Sequence, residues 1–122
     1  MLKKILLTSL AIGAVAIAVY AKAVGLGWNP YSDAAVNTIK VYIAPGANPF
    51  VANGTATANT NAVGLITTNV PSTATTVTVS VPFSGTWSAV ATAVTTNGVE
   101  SLNSNLASTN LPPGAPISLR FQ

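Results

Sequence analysis

The sequence predicts an all-β sandwich that follows an apolar N-terminal segment. Along several short stretches, apolar and polar residues alternate with a period of two, and pairs rich in Gly, Pro, Asn or Ser separate these stretches. Period-two alternation indicates strands with one buried face, and short strands with regular turns favour a sandwich. No helical periodicity interrupts this pattern after residue 23.

Residues 1–23 have the three parts of a secretory signal peptide. Two lysines form a basic start, and an uncharged apolar run covers residues 5–21. Small residues, Ala21 and Ala23, occupy positions −3 and −1 relative to a cleavage site before Val24. We therefore predict that residues 1–23 direct export and that the mature chain begins at Val24.

Retention of the same segment as a membrane anchor is the alternative. The apolar run is near the minimum length for a helix that spans a bilayer, and the lysines before it would stay on the cytoplasmic side. The predicted organisation is thus a hydrophobic helix (signal peptide or anchor) within 1–23, a sandwich at 24–110 and a Pro-rich, strand-like tail at 111–122. A membrane partner is expected only if residues 5–21 are retained.

Three stretches of the sandwich carry the clearest alternation. Their apolar positions are Ile39, Val41 and Ile43; Val77, Val79 and Val81; and Trp87, Ala89, Ala91 and Ala93. Because of the three alanines in the last stretch, the opposite sheet must either approach closely or offer larger residues. Trp28 is the natural residue to fill the space, because it is large and lies next to an early strand.

The composition argues against catalysis and cofactor binding. Beyond residue 23 the chain carries four charged residues, Asp33, Lys40, Glu100 and Arg120, and it contains neither His nor Cys. General acid–base and nucleophilic catalysis need titratable groups in pairs, so we expect no enzyme and no cofactor. Asp33 alone cannot supply the six to eight oxygens of a Ca²⁺ site, and we predict that it caps a turn.

Nucleic-acid binding is not expected either. The formal charge of +3 arises from lysines within the segment 1–23, and the remainder sums to 2 − 2 = 0. Binding to a phosphate backbone needs clustered Lys or Arg, whereas Lys40 and Arg120 are isolated.

Two blocks of the sequence resemble a known family. The first reads LGWNP at 26–30, then Asp33, then IKVYI at 39–43, and the second reads AVATAVTTNGVES at 89–101. They are similar to strands B and C, and to strand F, the F–G turn and the start of strand G, of a fibronectin type III domain of bacterial or phage type. The resemblance implies a seven-stranded, immunoglobulin-like sandwich that acts as a spacer or an adhesive module.

The chain departs from the family's pattern in two places. Trp87 stands where the family has a Tyr whose hydroxyl bonds back to the preceding corner, and an indole N–H can replace that hydroxyl as a donor. The family's first strand, strand A, is missing ahead of residue 26. The tail at 112–121 instead looks like a strand A after a proline-rich start, with Ile117, Leu119 and Phe121 on its inward face.

The sequence leaves open which strand this tail pairs with. As a donated strand it would complete a neighbouring copy, because a return to its own molecule in the family's usual direction is too long for the linking residues. The alternatives are a frayed tail and a tail packed antiparallel on its own sheet.

These observations predict a non-catalytic structural or adhesive subunit on a cell or virion surface. Its expected partners are proteins, either further copies or other structural subunits. Tyr31, Tyr42 and Phe50 are the best candidates for an exposed contact patch. If they form a flat exposed face, a carbohydrate-binding module with a glycan partner is a further alternative.

Overall fold

A computed structural model of the chain describes residues 21–115, 120 and 121. The elements of this part are the strands β1 (Lys22–Gly27), β2 (Val36–Pro45), β3 (Ile66–Pro71), β4 (Thr76–Val81), β5 (Gly85–Thr95) and β6 (Ala107–Leu111), and a 3-10 helix (Ala56–Asn61). They form two antiparallel sheets, with strand orders β1-β4 and β3-β2-β5-β6. The predicted all-β, two-sheet architecture is confirmed, while the hydrophobic N-terminal helix was predicted for residues outside the described range.

The two sheets pack face to face over one apolar core. Val24, Val79 and Val81 of the small sheet contact a cluster that includes Ile43 and Trp87 of the large sheet. Alternate residues of each strand point into this core because successive side chains of a strand project to opposite faces. The predicted inward faces of β2, β4 and β5 are confirmed by this packing.

Trp28 fills the space above the alanines of β5, as predicted. It is half-buried and packs with Ala91 and Ala93 in a second core cluster. Its indole Nε1 donates a hydrogen bond of 2.9 Å to the carbonyl oxygen of Ala74, in the loop before β4. One side chain thus supplies both the missing volume and a link between the β1–β2 loop and the β3–β4 loop.

Trp87 anchors the start of β5. Its side chain is 1% exposed, and Nε1 donates a 3.0 Å hydrogen bond to the carbonyl oxygen of Phe83, four residues earlier. The rings of Phe83 and Trp87 also contact each other, with centroids 4.9 Å apart. The indole N–H therefore links Trp87 back to the loop that precedes its own strand.

The outer face of the large sheet is covered by the long loop between β2 and β3, residues 46–65. Beneath this loop lies a third apolar cluster, formed by Tyr42, Ala44, Phe50 and Val90 with Ala62, Leu65 and Leu106 around it. Consequently β5 is buried on both faces along most of its length. The period-two alternation predicts strands with one buried face, and for β5 this prediction is wrong because the loop covers its second face.

Two turns form as their residue types indicate. Oδ1 of Asp33 accepts a 2.9 Å hydrogen bond from the backbone N–H of Ala35, which confirms its prediction as a turn cap. Gly98 has φ +84°, a conformation that favours glycine, in the turn after β5.

The start of the sandwich lies earlier than predicted. Strand β1 begins at Lys22, and Ala23 and Val24 are inside it, opposite Ser80 and Val79 of β4. The predicted domain boundary and cleavage point after Ala23 therefore fall within a paired strand. Alternation over residues 22–27 was obscured because small residues occupy its outward positions.

Candidate interaction surface

One side of the sandwich is open. The small sheet has two strands and the large sheet has four, and within residues 21–115 β1 pairs only with β4 and β6 only with β5. Between the edges of β1 and β6 lies a lateral cleft, lined by residues 23–28 on one side and by residues 104, 105, 107–109 and 111 on the other. It consists of two adjoining cavities of about 340 Å³ and about 120 Å³.

The lateral cleft is apolar at its floor and carries no charge in its lining. Ile43, Trp87 and Ala89 form the floor of the larger cavity, and Val41 and Ala91 contribute to that of the smaller. No Asp, Glu, Lys or Arg belongs to the lining of either cavity in the described part of the chain. Such a surface suits an apolar strand better than a charged ligand.

Two serines explain why the large sheet ends early along this side. The hydroxyls of Ser101 and Ser104 accept hydrogen bonds of 2.9 Å from the backbone N–H groups of Ala93 and Ala91. The side chains thus satisfy donors of β5 that a regular neighbouring strand would otherwise satisfy. Because of this, regular pairing of β6 with β5 begins only at Ala107, next to the cleft.

A polar cluster on the other face of the large sheet surrounds Glu100. Its Oε2 accepts hydrogen bonds from Tyr42 Oη at 2.5 Å and from Thr92 Oγ1 at 2.8 Å. Nζ of Lys40 lies 4.0 Å from Oε1 of Glu100 and 5.2 Å from the centre of the Tyr42 ring. Both oxygens of the carboxylate have partners on neighbouring strands, so the cluster stabilises the sheet rather than presenting a reactive acid.

Burial raises the pKa of Tyr42 well above its ordinary value, and the hydrogen bond to Glu100 and its negative charge raise it further. A tyrosine whose folded pKa is raised stabilises the fold fully below its unfolded pKa of about 10, and this contribution declines as the pH rises above that value. The wild-type free energy of unfolding should therefore fall at alkaline pH.

Tyr42→Phe tests this dependence. Near pH 8 the free energy of unfolding of the variant should be about 1–3 kcal/mol lower than that of the wild type, because a hydrogen bond to a charged group is lost. Above about pH 10 the difference should shrink by up to about 1.4 kcal/mol per pH unit. Urea titrations across this range measure both values, and Tyr31→Phe, at an exposed ring, is the control near neutral pH. A difference that stays constant with pH would contradict the explanation.

A buried amide pair fastens the 46–65 loop to the segment before β6. Asn59 is 0% exposed and Asn103 is 4% exposed. Nδ2 of Asn59 donates to Oδ1 of Asn103 at 2.8 Å, and Nδ2 of Asn103 donates to Oδ1 of Asn59 at 2.7 Å and to the carbonyl oxygen of Val51 at 3.0 Å. Sequence reasoning missed this pair, since its members are far apart along the chain and asparagines are abundant in it.

The predicted contact patch is wrong. Tyr42 is 2% exposed and Phe50 is 6% exposed, and their rings pack together beneath the 46–65 loop with centroids 6.5 Å apart. Tyr31 is exposed but lies in a different region, beside Trp28 and Leu102. Burial of the first two rings leaves the carbohydrate-binding alternative without the flat aromatic face on which it depended.

The other predicted site residues are placed only in part. Ile117 and Leu119 of the candidate donor strand lie outside the described residues. Phe121 is described and is fully exposed. Ala21 precedes β1, while Ala23 and Val24 belong to β1 and line the cleft.

Among the described residues there is no group of three or more His, Cys, Asp or Glu side chains that could hold a metal ion. Within the same residues, no helix has the length and apolar character needed to cross a membrane.

No family model, curated protein or solved structure matches this chain at a significant level.

Proposed function

We propose that this chain is a non-catalytic structural or adhesive subunit, exported to a cell or virion surface, that assembles with copies of itself. The observation that carries the proposal is the lateral cleft. A sandwich that leaves uncovered a strand edge and an uncharged cleft with an apolar floor has a surface suited to protein contact. The near absence of charge elsewhere on the sandwich means that little electrostatic repulsion opposes such contact.

The order of the strands supports the fibronectin type III-like part of this proposal. In immunoglobulin-like sandwiches strands B and E share one sheet, and strands C, F and G form the other. Assigned in chain order, β1 and β4 correspond to B and E, and β2, β5 and β6 to C, F and G, with β3 beside β2 as an added edge strand. The strand without a counterpart in the described residues is strand A.

A specific observation favours the membrane-anchored alternative. Cleavage after Ala23 would remove Lys22 and Ala23, which pair with Val81 and Ser80 of β4. Retention of residues 5–21 keeps these pairs intact and would tether the sandwich to a membrane as a small structural protein.

Intact mass and N-terminal sequencing of native material separate the two forms. Export with cleavage predicts a chain that starts at Val24, and retention predicts a chain that keeps the apolar run. Light scattering on the same material tests the assembly, and particles larger than one chain at micromolar concentration are the expected result. A strictly monomeric protein in the absence of other subunits would overturn self-assembly for both forms.

A further inference from the structure

We propose that the lateral cleft accepts residues 116–121 from a second copy of this chain, which add as a strand to the free edge of β1. This inference rests on the proposed self-assembly and names both the segment that is donated and the site that receives it.

The cleft has the dimensions and the chemistry for a strand. Strand β1 contains six residues, and a strand of six residues extends for about 20 Å, so residues 116–121 match its length. Within residues 21–115, the side of β1 away from β4 has no partner strand, which leaves backbone donors and acceptors available for pairing. Beneath that edge, the half-buried Leu26 and Trp28 and the small side chain of Ala89 leave space for apolar groups.

The tail has the complementary pattern. Ile117, Leu119 and Phe121 alternate with Ser118 and Arg120, so one face of an extended tail is apolar and the other polar. Phe121 is fully exposed in the single chain, at 105% of its reference surface. Burial of this ring in the uncharged cleft would remove a large apolar surface from water.

The direction of the chain favours a second copy over the chain's own cleft. Leu111, the last residue of β6, pairs with Gly85, and Lys22, the first residue of β1, pairs with Val81, so both lie at the same end of the sandwich. Residues 112–115 are exposed and form no turn, whereas a tail that turned back from Leu111 into its own cleft would run parallel to β1. A copy stacked beyond this end in the same orientation would receive the tail antiparallel to its β1, and both existing sheets are also antiparallel.

The segment before β1 is the weaker candidate for the same position. To lie antiparallel to β1 it would need a tight hairpin just before Lys22. Residues 14–24 contain no Gly, Pro, Asn or Asp, the residue types that form such turns. The tail, by contrast, is separated from β6 by Pro112, Pro113 and Gly114.

Donation of the tail of one copy to the cleft of the next is a head-to-tail contact. The donating and accepting surfaces differ, so each added copy leaves a new cleft at one end and a new tail at the other. Such contacts propagate into rings or open filaments instead of closing as a two-fold dimer.

Disulfide trapping in the full chain tests the pairing, because the natural sequence has no cysteine. One preparation carries Gly25→Cys, at an exposed position of β1 where an added Cβ meets no atom within 4 Å, and the other carries Ser118→Cys. Mixing the two under oxidising conditions should give cross-linked dimers between the two variants. Thr78→Cys is the matched control for Gly25→Cys, because Thr78 pairs with Gly25 but lies one strand further from the cleft. Mixed with Ser118→Cys, it should give at least about tenfold less cross-linked dimer than Gly25→Cys does.

A second pair of variants tests which face of the tail enters the cleft. Leu119→Asp should weaken self-association by about a hundredfold or more, because it places a carboxylate in an apolar cleft. Ser118→Asp, on the polar face, should assemble like the wild type. Light scattering over a range of concentrations measures both.

Each result decides the proposal. Cross-linked mixed dimers together with loss of assembly in Leu119→Asp support it. A disulfide that forms only within one chain, in the double variant Gly25→Cys with Ser118→Cys, would overturn it in favour of the chain's own tail. Unchanged assembly in Leu119→Asp would also overturn it, while leaving self-assembly through another surface intact. A wild-type chain that is monomeric throughout would overturn the proposed self-assembly as well.

Discussion

Replacement of Trp87 by Ala is expected to lower the free energy of unfolding by about 3–5 kcal/mol, the usual cost of deleting a large buried aromatic side chain. Trp87 is 1% exposed and is the largest fully buried side chain of the described residues. Its loss would leave a cavity in the main core and an unpaired carbonyl oxygen at Phe83. A domain of this size is stable by only about 5–15 kcal/mol, so this loss would remove a large part of the total stability.

Urea denaturation followed by circular dichroism measures this effect without relying on tryptophan fluorescence. Val63→Ala is the control, since Val63 is 87% exposed and its truncation should change the stability by less than about 0.5 kcal/mol. Trp87→Phe keeps an aromatic ring in the core but removes the donor and part of the volume, so its loss should be smaller than that of Trp87→Ala. A loss in Trp87→Ala no larger than that in the Val63→Ala control would contradict the role of this residue at the centre of the core.

The second large effect is expected at the buried amide pair. Asn59→Ala and Asn103→Ala should each cost about 1–3 kcal/mol, because either change leaves a buried amide with unmade hydrogen bonds. The double variant should cost less than the sum of the two, with a coupling energy of about 0.5–3 kcal/mol. Thr57→Ala, an exposed position in the same 3-10 helix as Asn59, is the control.

Hydrogen exchange would locate the damage. Because the pair fastens the 46–65 loop to the segment before β6, amides of the loop should lose protection in the single variants while those of β4 keep it. Simple addition of the two single effects would show that Asn59 and Asn103 do not act together.

The sequence allowed the inward faces of the strands to be predicted because alternation is a local property. Val77, Val79 and Val81 lie in consecutive inward positions of β4, and nothing beyond their own strand was needed to assign them. The corner at Trp87 was also predictable, since its donor and acceptor are close together along the chain.

The burial of Tyr42 was not predictable in the same way. Alternation placed it correctly on the face opposite Ile39 and Val41, but this face is covered by a loop whose path depends on contacts with residues far away along the chain. The start of β1 at Lys22 was likewise hidden, because a segment of small residues resembles a cleavage site as much as an edge strand.

The sequence predicts the donated strand, which stays a prediction, but it does not predict the cleft that would accept this strand. The tail stands out by its prolines and by its alternating apolar residues, which are visible in the sequence. The lateral cleft arises from the positions of β1 and β6 and from serine hydroxyls that replace a strand neighbour. Serines with this role cannot be recognised in a sequence that is rich in serine and threonine throughout.

The unequal sheets have a consequence for how the domain opens. Strand β5 has a hydrogen-bonded neighbour on each side and apolar cover on both faces, whereas β1 and β4 have only each other within residues 21–115. Detachment of the two-stranded layer therefore breaks the fewest backbone pairings while it uncovers Ile43 and Trp87. We therefore expect the two-stranded layer to open first and to admit water and proteases to the interior, and a ligand that holds β1 in place should slow both.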